Sequence, residues 1–402
     1  MIKERPWVGE LRSQFPAANE YAFFDIAYEN CGARFQEEAA AEYFRDKSDI
    51  YPGIVKAGGS GKGRTIDVIN ETRSLAVSFL NAPSVKNLAF TLNTTQGMNL
   101  LLQSLEWRGR GPDGQKPENI VVCDIEHVAV LLPCLHLREK GFEVRVVKAE
   151  NGLYVTAEDL LNAADEDTKV IALSYVQSSS GYRTDLKYLC EEAHRRGIFV
   201  ITDAIQALGF IPVDVQDLGV DGLCTCCYKG LLATEGAGFV YCSDRLLPAL
   251  HPVFAGPNEA SRFDRDKCEL TIDRTDARML EAGTLPFEGI YVLRSGLKRL
   301  LSIGMDEISA HIGECCDEIL AGLDRLGIKT AGCTDPAHRC HSLLLCTGSC
   351  EGGCAALTRA LAERKVFVSQ GKEGFIRISV SPFTTAADVK KLLDALGSCY
   401  NV

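Results

Sequence analysis

The sequence predicts an α/β protein with a mostly parallel sheet and a second, smaller α+β domain. Between about residues 66 and 242, short apolar runs alternate with amphipathic stretches, an order that is typical of βαβ units covered by helices. After about residue 252 the pattern changes to longer helices and fewer strands. A length of 402 residues is also consistent with one large and one small domain. We therefore assign residues 17–255 to the large domain, and residues 1–16 and 256–402 to the small one.

The predicted strands of the first region are short apolar runs. They lie at 119–124, 143–147, 169–174, 198–203 and 222–225. A helix at 186–196 ends at Gly197. In the second region, apolar residues at helical spacing from Ile308 to Leu323 predict a long helix. It is followed by a strand at 342–346, a helix that ends near 364, two strands within 366–380 and a helix at 386–396. Because ligands bind at the carboxyl ends of parallel strands, polar residues there are the first candidates for a site.

Composition and charge exclude several classes of protein. The chain has 43 Lys and Arg against 54 Asp and Glu, a net charge of −11, which argues against nucleic acid or an anionic membrane as its main partner. Its start shows no secretory signal pattern, and no run of about 18 apolar residues could span a membrane. The 17 cysteines are too sparse for a disulfide scaffold, so we expect reduced thiols in a cytoplasmic protein.

Four polar segments lie at the ends of predicted strands. Thr94 and Thr95 stand where an apolar helix begins, so their hydroxyls and free backbone N–H groups could bind a phosphate. A neutral imidazole at His127 could stack on a flat ligand or transfer protons. Asp203 ends an apolar strand and needs a cationic partner, and Lys229 could be a Schiff-base nucleophile. Each has an ordinary alternative, because threonine often caps helices, a single histidine is often structural and most lysines face solvent.

The order of these residues along the chain is more specific than any of them alone. A phosphate-binding threonine is followed by a histidine, by the Asp-x-x-Gln sequence of Asp203 to Gln206, and by a lysine. Further matching segments are 23–27, 177–181, 236–240, 281–284 and 376–379. This pattern resembles the class V aminotransferase group of pyridoxal-phosphate enzymes, a fold-type I family that includes cysteine desulfurases, C–S lyases and isopenicillin-N epimerase-like proteins. The resemblance covers nearly the whole chain and implies a sheet of the seven-stranded type.

The resemblance also implies pyridoxal phosphate as cofactor and a role for each residue that contacts it. Lys229 would attach the cofactor through a Schiff base and move protons at the substrate α-carbon. Asp203 would pair with the pyridinium nitrogen and keep it protonated. His127 would stack on the ring, and Gln206 would hydrogen-bond the ring hydroxyl.

The phosphate and the substrate would be bound by other segments. Thr94, Thr95 and the Gln96 backbone would bind the phosphate, with help from Thr284, next to Gly283, of a second subunit. That sharing requires a homodimer with a shared active site. The substrate is expected to be a small α-amino acid, because Arg377 would bind its carboxylate through a bidentate fork, beside Ala27.

Several positions depart from the family's usual pattern. Ser178, beside Gln177, stands where asparagine is frequent, and Cys226 and Tyr228 stand where Ser-x-His often precedes the lysine. We keep all four as candidate cofactor-binding residues, although a phosphate contact by Cys226 stays open. Tyrosine before the lysine is similar to the epimerase-like branch. Desulfurases of this family place a persulfide-forming cysteine just before the arginine, and residues 368–377 contain none.

The sequence leaves the reaction open. We expect an aminotransferase-type reaction first, a C–S lyase or desulfurase-like β-elimination second and an epimerisation third, since all begin with loss of the α-proton. The alternative without catalysis is a thiol or metal-binding protein on the same fold. Its candidate ligands would be Cys340, Cys346, Cys350 and Cys354, but they lack paired C-x-x-C spacing, so we expect no metal.

Overall fold

A computed structural model describes residues 2–48, 64–111, 115–150, 152–348, 352–371 and 374–400. Its strands are β1 (Ala22–Phe24), β2 (Leu88–Thr91), β3 (Asn119–Cys123), β4 (Glu143–Val147), β5 (Thr168–Ser174), β6 (Phe199–Asp203), β7 (Gly222–Cys226), β8 (Gly238–Cys242), β9 (Ser261–Asp264), β10 (Glu269–Ile272), β11 (Thr330–Ala331), β12 (Ser342–Cys346), β13 (Val366–Gln370) and β14 (Phe375–Ser379). The predicted strands of the large sheet agree with these bounds to within one residue at each end.

A seven-stranded sheet in the order β2-β8-β7-β6-β5-β3-β4 organises the large part of the structure. Strands β3 to β7 run parallel to one another, whereas β8 is antiparallel to both β2 and β7. The prediction of a mostly parallel sheet of the seven-stranded type is therefore confirmed.

The helices are α1 (Pro6–Ser13), α2 (Pro16–Glu20), α3 (Arg34–Ser48), α4 (Arg64–Leu80), α5 (Thr94–Ser104), α6 (Val128–His136), α7 (Ala157–Asn162), α8 (Leu186–Arg195), α9 (Val215–Leu218), α10 (Phe287–Ile303), α11 (Met305–Arg325), α12 (Gly353–Glu363) and α13 (Ala386–Tyr400). The predicted long helix of the second region is confirmed as α11, and the last helix continues to Tyr400. None of the described helices is both long and apolar enough to cross a membrane.

The sheet has an apolar core on each face. Successive residues of a strand point to opposite faces, so Ile120 and Val170 lie in the core with helices α5 and α6. Their neighbours Val121 and Ile171 lie in the core with α7 and α8. Because helices cover both faces, these strands read as continuous apolar runs in the sequence.

Helix α8 shows how the local sequence builds this layer. The Asp185 side chain caps its start by accepting a hydrogen bond from the Tyr188 N–H at 3.1 Å. Leu186, Leu189, Cys190 and Ala193 form its buried face. Burying one such leucine stabilises the fold by roughly 1.5–3 kcal/mol. The predicted helix at 186–196 is thus confirmed to within one residue.

A second sheet has five strands in the order β1-β13-β14-β12-β11. In it, β1 is parallel to β13, whereas β14 is antiparallel to β13 and β12. Strand β1 lies within 17–255, the range assigned from sequence to the large domain, yet it pairs with a strand more than 300 residues later. The pairing partner of so short a strand cannot be read from local pattern. The domain boundaries themselves stay a prediction.

A close backbone contact fixes the loop that carries the lysine. Gly209 has a φ of +86°, and a Cβ built on it would lie 2.0 Å from the Gly230 carbonyl oxygen. Gly230 directly follows Lys229. We expect Gly209→Ala to lower the free energy of unfolding by about 2 kcal/mol or more, because backbone strain and crowding add together. Urea denaturation measures this loss.

Gly197→Ala is the matched control for this prediction. Gly197 has a similar φ of +78°, but a Cβ there would meet nothing within 4 Å. Gly197→Ala should therefore lower the free energy of unfolding by only about 1 kcal/mol, the cost of placing alanine in a left-handed conformation. Equal losses in the two variants would show that the contact with Gly230 contributes nothing.

Candidate active site

A pocket lies at the carboxyl ends of the parallel strands of the large sheet. Nine residues singled out from the sequence line it: Thr94, Thr95, His127, Ser178, Asp203, Gln206, Cys226, Tyr228 and Lys229. They come from the segments that follow β2, β3, β5, β6 and β7. The carboxyl ends of parallel strands share one edge of the sheet, which brings these distant segments together.

Lys229 lies three residues beyond the end of β7 and is only 6% exposed. Within the described part of the chain its Nζ has no ion-pair partner, and it lies 5.6 Å from the centre of the Tyr228 ring. Burial lowers the pKa of Lys229 to about 8; the negative charge of Asp203 opposes this shift and the positive charge of Arg377 adds to it. About a tenth of the amine is therefore neutral and nucleophilic at pH 7, far more than for a lysine of ordinary pKa.

This lowered pKa has a direct kinetic consequence. Only the neutral amine reacts with an aldehyde, so covalent attachment of pyridoxal phosphate to Lys229 should slow about tenfold for each pH unit below the pKa. We expect the rate for the apoprotein to level off above a pH of about 8, rather than near the usual lysine value of 10.5. Stopped-flow absorbance over a pH series measures the midpoint. A midpoint near the usual value would contradict the assigned environment.

Asp203 ends β6 and is 2% exposed. Its Oδ1 accepts a hydrogen bond from the Ile205 N–H at 2.9 Å. Burial raises the pKa of Asp203 to about 7, against the effects of that hydrogen bond and of Lys229, and Glu126 raises it further. Because so few hydrogen bonds and positive charges stabilise this buried carboxylate, it is suited to pair with a protonated heterocyclic nitrogen.

Helix α5 presents its amino terminus to the pocket. Asn93 caps it, and the Asn93 Oδ1 accepts a hydrogen bond from the Gln96 N–H at 2.8 Å. The Gln96 N–H therefore already has an acceptor in this structure, and its contact with the phosphate stays a prediction. The Thr94 Oγ1 is buried and has no partner in the described structure. The first two residues of the helix, Thr94 and Thr95, are left to bind an anion.

His127 borders the pocket as the N-cap residue of α6. Its Nδ1 accepts a hydrogen bond from the Ala129 N–H at 3.1 Å, so in the neutral ring the proton is on Nε2. Burial lowers the pKa of His127, and the positive charges of Lys229 and Arg377 lower it further. A neutral imidazole can cover a flat ring without placing another positive charge in the site.

The two glutamine candidates differ in position. Gln206 lines the pocket; its Nε2 donates to the Ala27 carbonyl at 2.8 Å, and its Oε1 is buried without a partner in the described structure. This bond ties Ala27 to the edge of the site. Gln177 does not line the pocket, because its Nε2 donates to the Glu126 Oε1 at 2.7 Å. Its predicted cofactor contact thus lacks support in this conformation.

Arg377 lies on β14, beside the pocket. Its Nη1 donates to the Ser178 carbonyl at 2.7 Å and its Nη2 to the Ser369 Oγ at 3.1 Å, while its Nε is buried without a partner in the described structure. Burial lowers the pKa of Arg377, and the carboxylate of Asp25 opposes this effect. Burial likewise raises the pKa of Asp25 to about 6, although Arg377 and Lys229 act against it.

Cys226 and Tyr228 occupy the positions at which the sequence departs from the family. Burial raises the pKa of Cys226 to about 11 and that of Tyr228 to about 12, so both are protonated at neutral pH. The Cys226 Sγ lies 3.3 Å from the Ala237 carbonyl. Both side chains are therefore neutral hydrogen donors at the pocket wall.

Gly283 and Thr284 lie away from the pocket, and Thr284 is exposed. Their role in binding the phosphate in a neighbouring subunit stays a prediction. Among the described residues, no group of three or more His, Cys, Asp and Glu side chains could hold a metal ion. Cys350, one of the cysteines weighed as a ligand, lies outside the described residues.

Sequence reasoning missed three residues of this site. Asn93 lines the pocket and caps α5, Asp25 carries an unpartnered buried Oδ1 beside Arg377, and Glu126 is buried under the strand ends. Asn93 and Glu126 each adjoin a residue that was singled out, so position at a strand end was their one available signal. Whether such a side chain turns into the site depends on contacts that the local sequence does not show.

The groups left without partners fit pyridoxal phosphate. The amino terminus of α5, with the unpartnered Thr94 hydroxyl, suits the phosphate, and the buried Asp203 suits the ring nitrogen. The unpartnered Gln206 Oε1 suits the ring hydroxyl, and the amine of Lys229 suits the aldehyde. Fold and site together define a pyridoxal-phosphate enzyme of fold type I.

The chain belongs to the aminotransferase class-V family, whose sequence profile matches residues 39–392. It is 30% identical over 331 residues to an uncharacterized aminotransferase of Schizosaccharomyces pombe, covering 81% of this chain and 80% of the relative. It is 29% identical over 336 residues to a probable cysteine desulfurase of Methanothermobacter thermautotrophicus, covering 82% and 78%. The protein is thus an enzyme whose cofactor is pyridoxal phosphate.

Solved structures agree on the fold. A cysteine desulfurase from Thermococcus onnurineus matches with a TM-score of 0.85 at 21% identity, over 100% of both chains. The cystine C–S lyase C-DES, in complex with cysteine persulfide, matches with a TM-score of 0.80 at 18% identity, over 96% of this chain and 100% of that one. At such low identity the likeness concerns architecture alone.

Proposed function

We propose that the enzyme catalyses an aminotransferase-type reaction on an α-amino acid, with pyridoxal phosphate attached at Lys229. The observation that carries this proposal is a buried lysine of lowered pKa, in one pocket with Asp203 and beside Arg377. When bound, pyridoxal phosphate supplies an electron sink for the charge that remains on the α-carbon after proton loss.

The residues around the pocket divide the remaining tasks. Arg377 orients the substrate by binding its carboxylate, which places the α-hydrogen toward Lys229. The neutral amine of Lys229 accepts the α-proton and returns it. Asp203 would hold a proton at the ring nitrogen of the bound cofactor, and His127 would shield the ring from water. Thr94 and Thr95 would anchor the phosphate.

A β-elimination is the second candidate, because several relatives are named cysteine desulfurases. The segment 368–377 contains no cysteine that could accept sulfur before Arg377. A direct elimination needs no such thiol, since the leaving group departs after the α-proton is lost.

Product analysis separates the two reactions. The purified holoenzyme is incubated with each of the common amino acids, with and without a 2-oxo acid acceptor. Amino transfer yields a new amino acid only when the acceptor is present. Elimination from cysteine or cystine yields ammonia and pyruvate without an acceptor. Ammonia release that does not depend on the acceptor would overturn the first proposal in favour of the second.

We also propose that the enzyme is a cytoplasmic homodimer whose active sites are shared between subunits. Exposed apolar side chains next to the site support it: Val128 and Leu132 on α6 are 56% and 57% exposed, and Leu92 is 45% exposed. The free thiols of the described cysteines suit a reducing compartment. Mixing Lys229→Ala with Thr284→Ala subunits tests the sharing, because mixed dimers would regain one complete site. Failure to regain any activity would contradict it.

A further inference from the structure

Glu126 is a second buried carboxyl group at the site, only 6% exposed. Its Oε1 accepts hydrogen bonds from the Ser174 N–H at 3.0 Å and from the Gln177 Nε2 at 2.7 Å. The Cys123 thiol lies 3.5 Å from the same oxygen, and the Ser174 hydroxyl donates to Oε2. Within the described structure no lysine, arginine or histidine pairs with this carboxylate. Four donors therefore surround a group that has no cation.

The sheet places this carboxyl group close to Asp203. Ser174 is the direct cross-strand partner of Asp203 between β5 and β6. The next residue, Tyr175, donates its N–H to the Asp203 carbonyl at 2.9 Å. Glu126 and Asp203 are therefore linked through a single residue, Ser174, which donates hydrogen bonds to Glu126 and pairs with Asp203 across the sheet. Both carboxyl groups are buried, and charges interact over longer distances in such a region than in solvent.

We propose that Glu126 is a positioning residue that keeps the ring nitrogen of bound pyridoxal phosphate protonated, by adding a second, ionised carboxylate behind Asp203. It does not touch the ring, and it acts through the Asp203 carboxylate. The inference rests on the proposed pairing of Asp203 with the ring nitrogen. A negative charge behind Asp203 raises the affinity of that pair for a proton, as any nearby like charge does.

The donor arrangement favours the ionised form of Glu126. Two N–H groups and a thiol point at Oε1, and the Ser174 hydroxyl donates to Oε2, so a proton on either oxygen would displace or reverse one of these hydrogen bonds. Burial raises the pKa of Glu126, and the hydrogen bonds from Ser174, Cys123 and Gln177 oppose this effect. The same bonds explain why the Gln177 side chain turns away from the pocket.

Glu126→Gln is a near-isosteric test. The amide oxygen can keep the three donors of Oε1, and the amide nitrogen can donate to the Ser174 hydroxyl, so the charge is removed while the shape is kept. Dissociation constants are measured by absorbance for pyridoxal phosphate and for its carbocyclic analogue, in which a C–H group replaces the ring nitrogen. Both ligands carry the phosphate and the aldehyde.

We expect Glu126→Gln to weaken the binding of pyridoxal phosphate about tenfold, which corresponds to a change of about one pKa unit at the ring nitrogen. Binding of the carbocyclic analogue should not change. A purely structural role would weaken both ligands equally, and that result overturns the proposal. No change for either ligand overturns it as well, because Glu126 would then carry no charge that matters.

Asp203→Asn separates this inference from the proposal on which it rests. If Asp203 pairs with the ring nitrogen, Asp203→Asn also weakens pyridoxal phosphate selectively, and more strongly than Glu126→Gln does. If Asp203→Asn affects both ligands alike, the pairing itself is wrong and the role of Glu126 falls with it. If Asp203→Asn weakens pyridoxal phosphate selectively but Glu126→Gln affects both ligands alike or neither of them, the pairing stands and only the role of Glu126 is refuted.

Discussion

Lys229→Ala is expected to abolish covalent attachment of pyridoxal phosphate and to reduce turnover by roughly 10³-fold or more, since the same amine both holds the cofactor and transfers the α-proton. The amine is buried at the end of the β7 segment, and in the described structure no second lysine lines the pocket. The loss of the long-wavelength absorbance band of the bound cofactor and the steady-state rate measure the two effects.

Lys187→Ala is the control for this prediction. Lys187 lies on the surface of α8, where it pairs with Asp217 at 2.6 Å. Its removal should leave both the absorbance band and the rate unchanged. A Lys229→Ala protein that is folded, keeps the band and turns over at the normal rate would refute the assignment of the lysine.

Glu281→Ala is expected to lower the free energy of unfolding by about 3–5 kcal/mol, because it leaves an unpaired arginine in the core. Arg73 on α4 forms a two-pronged pair with Glu281, at 2.8 Å and 3.2 Å, and the side chains are only 5% and 6% exposed. The Phe90 N–H, at the strand that leads to the phosphate segment, donates to the same carboxylate at 2.8 Å. Urea denaturation gives the change in stability.

Two variants show whether burial is the cause. Glu71, on the same helix as Arg73, pairs with Lys298 at the surface and is 42% exposed, so Glu71→Ala should cost less than about 1 kcal/mol. The double variant Arg73→Met with Glu281→Leu removes both charges and should recover much of the loss. Equal costs for Glu71→Ala and Glu281→Ala would argue against a desolvated pair.

Much of the fold could be predicted because parallel strands covered on both faces leave a strong local signal. The runs at 119–123 and 199–203 are mostly apolar and are bounded by polar residues, so their position and type follow from the sequence. The pairing of β1 with β13 could not be predicted, since the local pattern of a three-residue strand does not specify a partner more than 300 positions away.

The candidate site follows the same division. Lys229, Asp203 and His127 were predicted because each lies at a strand end and their order along the chain resembles one family. The cofactor contacts of Gln96 and Gln177 stay predictions, and in this structure the Gln96 N–H and the Gln177 side-chain amide donate to Asn93 and Glu126 instead. A hydrogen bond depends on side-chain direction, which strand-end position does not specify.

The sequence by itself predicted the main strands and helices of the large sheet and the type of that sheet, because these depend on local periodicity. Its resemblance to one family, carried by the order of a few side chains, predicted the cofactor. Only the tertiary structure decided that Glu126 lies behind Asp203 and that Arg73 is buried against Glu281. The physical reason is that the state of a buried charge depends on the donors and charges packed around it, and these come from segments far apart in the chain.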